Sequence, residues 1–518
     1  MSIYGWLQFH PYCPRLFRCF QRETIQECPA GAKATIVQRR NFLQLGGMAL
    51  AHAGMARLPV GAQAQSSQAP TPDSKADHTL RIGPVTVELD RSHIVSTMGY
   101  NNSAPGPVLR MQEGKPVNVD VINDTDTPEL VHWHGMLLPP EVDGTEEEGS
   151  PLVPPRARRR FQFAPRPAGS RWYHSHAMAM ADLHKGAYTG QFGFVYVQGT
   201  DDPGRYDQEL FLALRDWEPF FTATMDDEDD DTHDGPVLEK PAVLNTDPDG
   251  LEVGSIIYSI NDKALGSGDP IRVHEGQRLL VHFLNASAIE NRRVALAGHK
   301  MQVIALDGNP VPSPRELDSV FLGAGERADV LIEMNHPGIW VLGSTEKMIR
   351  DSGLGTVVEY AGQHRQPQWI DPPKLAWDYT IFGTGFGTGS PTSPPPQQTI
   401  EMVFEKIAGG AGKFNLWLVN GKPYPHEREF LLQQGTRYRL VMRNRTDDAH
   451  PMHLHRHSFE LAEINGKKTA GVMKDTVVVP YYGRAVVDFT ADQPGLSLFH
   501  CHIQQHMDYG FKALFRYA

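Results

Sequence analysis

Apolar residues come in short runs along most of the chain, and turns rich in Gly, Pro, Asn and Asp separate these runs. No long segment has the period of an amphipathic helix. Short apolar runs bounded by turn residues favour β-strands. The pattern therefore predicts an all-β protein.

A repeated motif divides this pattern into units of domain size. In each copy, a Gly follows an acidic or amide residue and precedes an apolar strand that ends in Asn. The glycines are Gly114, Gly276 and Gly435, which lie 162 and 159 residues apart. That spacing suits a β-sandwich domain rather than a solenoid repeat. We expect domains at residues 79–200, 201–382 and 399–518, with a Gly/Thr/Ser/Pro-rich linker at 383–398.

Histidine pairs stand at matching positions in the first and third units. One pair follows the repeat glycine by eighteen residues, and the middle unit has Val294 and Leu296 there. These pairs are His132 and His134, and His453 and His455. Because the middle unit lacks them, we expect the outer two units to meet and to share one cluster.

A second set of pairs obeys the same rule. Five residues after a later Gly of the first and third units come His174 and His176, and His500 and His502. Allowing one deletion, the middle unit has Leu342 and Ser344 at these positions. A single His-x-His pair is weak evidence for a metal site, but four pairs in repeat register are strong evidence.

Cys501 lies between two of these histidines. Side chains of an extended segment alternate between faces, so Cys501 points away from His500 and His502, and one peptide can serve two metal centres. Cys501, His506 and His450 form a trio of a thiol and two imidazoles, which suits a copper electron-transfer site. Zinc is the alternative, but structural zinc prefers four ligands and cannot pass electrons.

Together these motifs resemble the multicopper oxidase family in its three-domain, laccase-like form, from about residue 80 to the end. The resemblance implies three consecutive cupredoxin-like Greek-key β-sandwich domains and four copper ions. It implies that His450, Cys501 and His506 hold a type 1 copper, and that His132 and His453 hold a type 2 copper. The implied ligands of the type 3 pair are His134, His174, His176, His455, His500 and His502.

The resemblance also implies a reaction. A reducing substrate gives single electrons to the type 1 copper, and Cys501 passes them through His500 and His502 to the cluster that reduces O₂ to water. Asp143 matches the family's acid near the type 2 copper, so we expect it to help supply protons. Phe511 stands where many bacterial members have an axial Met, and a missing thioether raises the copper potential.

Three functions are open on this basis. The first is a laccase-type oxidase of phenols and aromatic amines, and the second is a metallo-oxidase for Cu(I), Mn(II) or Fe(II). Cuprous oxidases usually add Met-rich segments, whereas only Met178 and Met180 follow the second histidine pair here. The third is a non-enzymatic cupredoxin scaffold, which the complete ligand set disfavours.

Charge and hydropathy restrict the partners. The 518 residues include 49 Lys and Arg against 61 Asp and Glu, a formal net charge of −12, which argues against nucleic-acid binding. The chain has no apolar run long enough to predict a membrane span. The expected partners are O₂ and a small reducing substrate, either a phenol or a metal ion.

The N-terminal region has the pattern of an export signal. Arg39 and Arg40 precede an apolar Gly/Ala-rich stretch and an Ala-Gln-Ala sequence that ends at Ala64. We therefore predict an extension with a twin-arginine signal peptide at residues 1–64 and a disordered linker at 65–78. The protein should then be exported folded by the twin-arginine machinery and be periplasmic or secreted.

Two further segments stand out by composition. The acidic run Asp226–Asp231 is interpreted as a solvated loop rather than a cation site. The insert Thr145–Arg160, with its consecutive glutamates and arginines, is assigned no role from the sequence.

Overall fold

Strands dominate the structure, as the sequence pattern predicts. The computed structural model describes residues 75–200, 204–223, 250–384, 393–425 and 429–518. The predicted signal peptide, most of the predicted linker at 65–78 and the acidic run Asp226–Asp231 lie outside these residues. The strands are arranged in six sheets, which form three consecutive cupredoxin-like sandwiches, so the predicted fold class is confirmed.

The first sandwich has two four-stranded sheets, ordered β2-β1-β4-β6 and β3-β8-β7-β5. Its strands are β1 (His78–Glu88), β2 (Ile94–Tyr100), β3 (Leu109–Gln112), β4 (Val117–Asn123), β5 (His132–His134), β6 (Ala157–Phe163), β7 (Gly169–His174) and β8 (Phe192–Gln198). A short helix α1 (Pro140–Asp143) follows β5, and a 3₁₀ turn (Gly186–Tyr188) precedes β8. Alternating side chains of β1 face the core, so every second residue is buried over much of the strand.

The middle sandwich has sheets of six and five strands, ordered β10-β9-β12-β17-β14-β15 and β11-β19-β18-β13-β16. Its strands are β9 (Gln208–Thr222), β10 (Glu252–Ile260), β11 (Ile271–Val273), β12 (Arg278–Asn285), β13 (Arg292–Leu296), β14 (Met301–Leu306), β15 (Asn309–Leu317), β16 (Val320–Leu322), β17 (Arg327–Glu333), β18 (Ile339–Ser344) and β19 (Gly355–Tyr360). Helix α2 (Lys347–Asp351) and a 3₁₀ turn (Tyr379–Phe382) complete it.

The third sandwich repeats this arrangement, with sheets ordered β21-β20-β23-β28-β25-β26 and β22-β30-β29-β24-β27. Its strands are β20 (Gln398–Ile407), β21 (Leu416–Val419), β22 (Phe430–Leu432), β23 (Arg437–Asn444), β24 (His450–Leu454), β25 (Phe459–Ile464), β26 (Lys467–Lys474), β27 (Thr476–Val479), β28 (Arg484–Thr490), β29 (Leu496–Cys501) and β30 (Lys512–Tyr517). Helix α3 (Gln504–Asp508) lies between β29 and β30.

The repeated motif forms the same local structure in all three sandwiches. Its glycines, Gly114, Gly276 and Gly435, have φ values of 69°, 83° and 81°, in the left-handed region that favours glycine. The strand after each glycine pairs in parallel with the first long strand of its sandwich. The motif therefore encodes one turn and one strand of a common fold.

Strand register corrects one detail of the repeat alignment. Val294 of β13 lies opposite Ser344 of β18, as His132 of β5 lies opposite His174 of β7. The structural counterpart of His174 is therefore Ser344, whereas the sequence alignment with one deletion placed Leu342 there. Ser344 lies six residues after Gly338, whereas His174 lies five after Gly169, so the middle unit has one residue more here and not one fewer.

Helices play a minor part. The α-helices in the described part of the chain have four or five residues each. Among the described residues, no helix is long and apolar enough to cross a membrane.

A buried histidine links the first and middle sandwiches. Nδ1 of His282 lies 2.8 Å from Asp329, and its Nε2 lies 3.3 Å from Glu209. Ser170, from the first sandwich, donates a hydrogen bond to the same Asp329 carboxylate. Burial alone would lower the pKa of His282, but the charges of Asp329 and Glu209 and their hydrogen bonds outweigh burial and raise the pKa to about 9.

This arrangement predicts a loss of stability in mild alkali. Because the folded-state pKa of His282 is raised to about 9, its stabilisation is complete below the unfolded pKa of about 6.5 and is lost as the pH rises through about 9. We expect the free energy of unfolding to fall by on the order of 3 kcal/mol over this range from His282 alone. Chemical denaturation of the wild type and of His282→Gln across this range measures the difference, and identical pH profiles for the two proteins would contradict it.

Candidate metal centre

Four strands bring the predicted histidine pairs into one cluster. In the first sandwich, β5 pairs with β7 and His132 lies opposite His174. In the third, β24 pairs with β29 and His453 lies opposite His500. All eight imidazoles of the four pairs are buried, with at most 5% of their surface exposed.

Rings from the two outer sandwiches contact each other directly. His134 stacks on His453 with ring centroids 3.7 Å apart, and His132 stacks on His455 at 3.9 Å. The outer sandwiches therefore meet at one histidine cluster, as the repeat register predicts.

One nitrogen of most rings is held by a hydrogen bond that points away from the cluster. On four rings, Nδ1–H donates to a backbone carbonyl oxygen at 2.8 to 2.9 Å. These four are His132, His174, His453 and His500. On two further rings a carboxylate accepts the proton: Asp475 lies 3.1 Å from Nε2 of His134, and Asp143 lies 2.8 Å from Nδ1 of His455.

The opposite nitrogens face the interior of the cluster. Several of them have no hydrogen-bond partner among the described residues: Nε2 of His132, His174 and His453, Nδ1 of His134, and both nitrogens of His502. Nε2 of His500 lies only 2.9 Å from Nε2 of His455. Lone pairs that converge without partners are the donor set of a metal site, and imidazole suits copper.

The environment keeps these rings in the form that binds metal. Burial, and then the neighbouring imidazoles and cations, lower the pKa values of six rings well below the ordinary range: His134, His174, His176, His455, His500 and His502. Burial also lowers the pKa of His453, to about 4. Neutral imidazole is the ligand form, so no proton has to leave these rings at neutral pH.

Cys501 lies on the other face of the same peptide. Its Sγ is 3.8 Å from Nδ1 of His450, at the start of β24, and 3.6 Å from Nδ1 of His506, in α3. All three side chains are buried. Burial raises the pKa of the Cys501 thiol, so a metal ion must displace its proton to bind there.

Aromatic rings enclose this trio. Trp417 packs on His506 with centroids 3.9 Å apart, and Phe511 lies edge-on to His450 at 4.7 Å. The Thr446 hydroxyl lies 2.7 Å from Nε2 of His450. His450 is therefore closed off from solvent, whereas His506 keeps 3% of its surface exposed.

Asp143 reaches the histidine cluster from the end of α1. The chain leaves this helix through Gly144, whose φ is 97° and whose added Cβ would lie 1.9 Å from the carbonyl oxygen of Val131. The fully buried Asp143 carboxylate lies 2.8 Å from Nδ1 of His455 and 3.2 Å from Nδ1 of His132. One carboxylate thus contacts a histidine of each outer sandwich.

Glu148 gives the insert Thr145–Arg160 a place in the site. Its carboxyl accepts a hydrogen bond from the backbone N–H of Leu498 at 2.6 Å and lies 3.7 Å from Nδ1 of His455. Burial, followed by the charge of Asp143, raises the pKa of Glu148 well above its ordinary value. Sequence reasoning missed this residue because a glutamate among three consecutive glutamates carries no motif.

Asp475 connects the histidine cluster to the middle sandwich. Its carboxylate lies 3.1 Å from Nε2 of His134 and forms two contacts with Arg327, at 2.8 and 2.6 Å. Burial alone would raise the pKa of Asp475, but Arg327 outweighs burial and lowers it. His457, two residues after His455, lies 2.9 Å through Nδ1 from the carbonyl oxygen of His455 and 2.7 Å through Nε2 from the Tyr517 hydroxyl.

All eleven side chains predicted as metal ligands thus lie in two adjacent clusters. Groups of three within them, such as His132, His453 and His455, or His450, Cys501 and His506, have ligand atoms within 4.8 Å of one another. Asp143 and Phe511 lie beside the clusters for which they were predicted. Gly325, Arg327 and Trp417 also line them, and no sequence motif pointed to these three residues.

Family models support the same interpretation. Three models, each described as multicopper oxidase, match residues 81–202, 232–367 and 391–518. Each model matches a different one of the three sandwiches.

Individual proteins resemble the chain over most of its length. It is 29% identical to the multicopper oxidase MmcO of Mycobacterium tuberculosis over 90% of this chain and 94% of that protein. A multi-copper oxidase structure from Pseudomonas thermotolerans matches 86% of this chain and 100% of its own, with a TM-score of 0.63 and 24% identity. The Botrytis aclada laccase structure matches 85% of this chain and 87% of its own, with a TM-score of 0.66 and 20% identity.

Sequence, fold and site therefore agree. The chain belongs to the multicopper oxidase family, whose members are copper-dependent oxidoreductases that use O₂ as the electron acceptor.

Proposed function

We propose that the two clusters hold four copper ions. A type 1 copper is bound by His450, Cys501 and His506, and a type 2 copper by His132 and His453. A type 3 pair is bound by His134, His174, His176, His455, His500 and His502. The observation that carries this assignment is the set of buried imidazole nitrogens that face each other without partners, next to a buried thiol with two imidazoles.

The coppers, when bound, supply one-electron transfer at the type 1 site and four-electron reduction of O₂ to water at the trinuclear site. The protein contributes the route between them. Because His500, Cys501 and His502 are consecutive, the thiolate of one site is joined covalently to imidazoles of the other. Asp143 orients His455 and offers a carboxyl group for proton transfer.

Electrons enter at His506 in this proposal. Of the two type 1 imidazoles, His506 keeps 3% of its surface exposed, whereas His450 is fully buried and its Nε2 lies 2.7 Å from the Thr446 hydroxyl. Trp417, itself buried, covers the His506 ring.

The charges near His506 favour an organic donor over a metal ion. Asp447 and Asp448 both contact the ammonium group of Lys406, at 2.6 and 3.2 Å, and this ammonium lies 5.5 Å from the centre of the Trp417 ring. The Lys406 cation offsets the carboxylates that would attract Cu(I), Mn(II) or Fe(II). We therefore propose laccase-type oxidation of phenols and aromatic amines, with a metallo-oxidase as the second candidate.

We also propose that the protein is exported by the twin-arginine machinery and acts in the periplasm or outside the cell. The support is the sequence pattern around Arg39 and Arg40, which lies outside the described residues. Export in the folded state suits a metal site assembled from two distant sandwiches.

A steady-state comparison of donors tests the substrate class. Copper-loaded enzyme is assayed for oxygen consumption with a phenol, an azo-type dye precursor, Cu(I) and Mn(II). We expect the organic donors to turn over faster than either metal ion, because Lys406 opposes the approach of a cation at His506. Turnover of the metal ions alone would contradict the laccase assignment.

Replacing the Asp143 carboxylate should slow oxygen reduction. We expect Asp143→Asn to consume O₂ about 10- to 100-fold more slowly, because the amide can neither carry a negative charge nor release a proton to the site. The blue absorption band of the type 1 copper should remain. Asp120→Asn is the matched control, since Asp120 is also buried in the first sandwich but pairs with Arg160 away from the cluster. Equal turnover of the two variants would contradict a catalytic role for Asp143.

Phe511 should set the potential of the type 1 copper. We expect Phe511→Met to lower the reduction potential, because a thioether beside the copper stabilises Cu(II) relative to the phenyl ring. A spectroelectrochemical titration of the blue band measures this shift. Phe489→Met, in a buried strand position away from the trio, is the control. A potential that is unchanged in Phe511→Met would show that Phe511 does not occupy the axial position.

A further inference from the structure

The middle sandwich contains no histidine pair, yet it contacts a histidine of the third sandwich directly and reaches one of the first sandwich through Asp475. We propose that two of its residues, Gly325 and Arg327, position the type 3 imidazoles. Gly325 seats the ring of His502, and Arg327 fixes His134 through Asp475. The inference rests on the proposed copper assignment and adds to it the residues that hold two of the ligands in place.

Arg327 is fully buried and makes a two-point contact with Asp475. Its two terminal nitrogens lie 2.8 and 2.6 Å from the carboxylate oxygens. The same guanidinium donates to the carbonyl oxygens of Gly325 and Asp307, at 3.0 and 3.1 Å. A planar guanidinium with several bonds of this kind has one available orientation, and lysine cannot reproduce it.

Asp475 transmits this orientation to the metal site. Its Oδ1, which contacts Arg327, also lies 3.1 Å from Nε2 of His134, so the ring presents its Nδ1 to the interior. The residue after that histidine, Gly135, packs directly on the ion pair: an added Cβ would lie 2.5 Å from Oδ2 of Asp475 and 2.6 Å from Arg327. The backbone next to His134 therefore also packs against the Arg327–Asp475 ion pair.

Gly325 acts on a different ligand by direct contact. Its φ is 85°, and an added Cβ would lie 2.7 Å from Cδ2 and 3.0 Å from Nε2 of His502. Neither nitrogen of His502 has a hydrogen-bond partner among the described residues. Because no hydrogen bond orients the His502 ring, we infer that its packing against the Gly325 backbone sets its orientation.

The two contacts belong to one short turn. Gly325 and Arg327 are two residues apart, and the backbone N–H of Gly325 donates to the carbonyl oxygen of Asn285, at the end of β12. This turn thus joins the core of the middle sandwich to a ligand from the first sandwich and a ligand from the third. Groups that hold metal ligands in this way typically change metal affinity or activity about 10- to 100-fold when they are removed.

Two substitutions test the two contacts separately. Gly325→Ala adds one methyl group against His502, and Arg327→Lys keeps the charge but removes the two-point contact. Gly276→Ala is the matched control for the first, because Gly276 has nearly the same φ, 83°, and nothing within 4 Å of its added Cβ. Arg292→Lys is the control for the second, because Arg292 is a buried, ion-paired arginine of the same sandwich that pairs with Asp216.

Each copper-loaded variant is examined by electron paramagnetic resonance, by its blue absorption band and by oxygen consumption. We expect Gly325→Ala and Arg327→Lys to keep the blue band. Part of the type 3 pair, which gives no paramagnetic resonance signal when its two coppers are coupled, should become paramagnetic or lose copper. Both variants should consume O₂ about 10- to 100-fold more slowly. Both controls should match the wild type.

The other outcomes each contradict the inference. Variants that keep the silent pair and the turnover of their controls would show that the contacts do not position the ligands. Loss of the blue band together with the pair in both variants would show a general folding defect instead of a local role. A wild type without a silent copper pair would overturn the proposed function itself, and the positioning role with it.

Discussion

The structure depends on one constraint: eight buried imidazoles form a single cluster, and five of them have a ring nitrogen without a hydrogen-bond partner among the described residues. A buried polar atom without a hydrogen bond costs about 1–3 kcal/mol, and several such atoms lie here within one cluster. On six of the rings the other nitrogen is already engaged by a carbonyl oxygen or a carboxylate, so these rings cannot rotate to find other partners without breaking that bond. Bound metal ions would engage one inward nitrogen of each ring, and the rest of the fold serves to hold the rings in place.

This constraint explains why the ligands come from separate sandwiches. A single sandwich presents one His-x-His pair on each of two paired strands, which gives half of a cluster. Stacking of His134 on His453 and of His132 on His455 closes the cluster only when the outer sandwiches meet. Strand β29 then adds the second centre, because alternation along an extended peptide places Cys501 on the face opposite its histidine neighbours.

Much of this arrangement could be predicted from the sequence, because it depends on the spacing between the repeat glycines and the histidine pairs. The repeat glycines share a left-handed conformation, and the histidine pairs keep a constant distance from them, so both the fold and the ligand positions followed from the repeat. Glu148, Gly325 and Arg327 could not be found in this way. Glu148 and Leu498 are separated by 350 residues, and Arg327 and Asp475 by 148, so only the packing of the sandwiches brings them together. The counterpart of His174 was also misplaced by the alignment, because only strand pairing distinguishes an insertion from a deletion before Ser344.

The proposal to be tested is that four copper ions, and not a single ion or another metal, occupy the two clusters. Anomalous diffraction from crystals of copper-loaded protein, recorded on both sides of the copper absorption edge, tests it most directly. The account predicts three copper peaks enclosed by the eight imidazoles and a fourth beside Cys501, His450 and His506. A single metal ion in the histidine cluster, or peaks that do not respond to the copper edge, would contradict it.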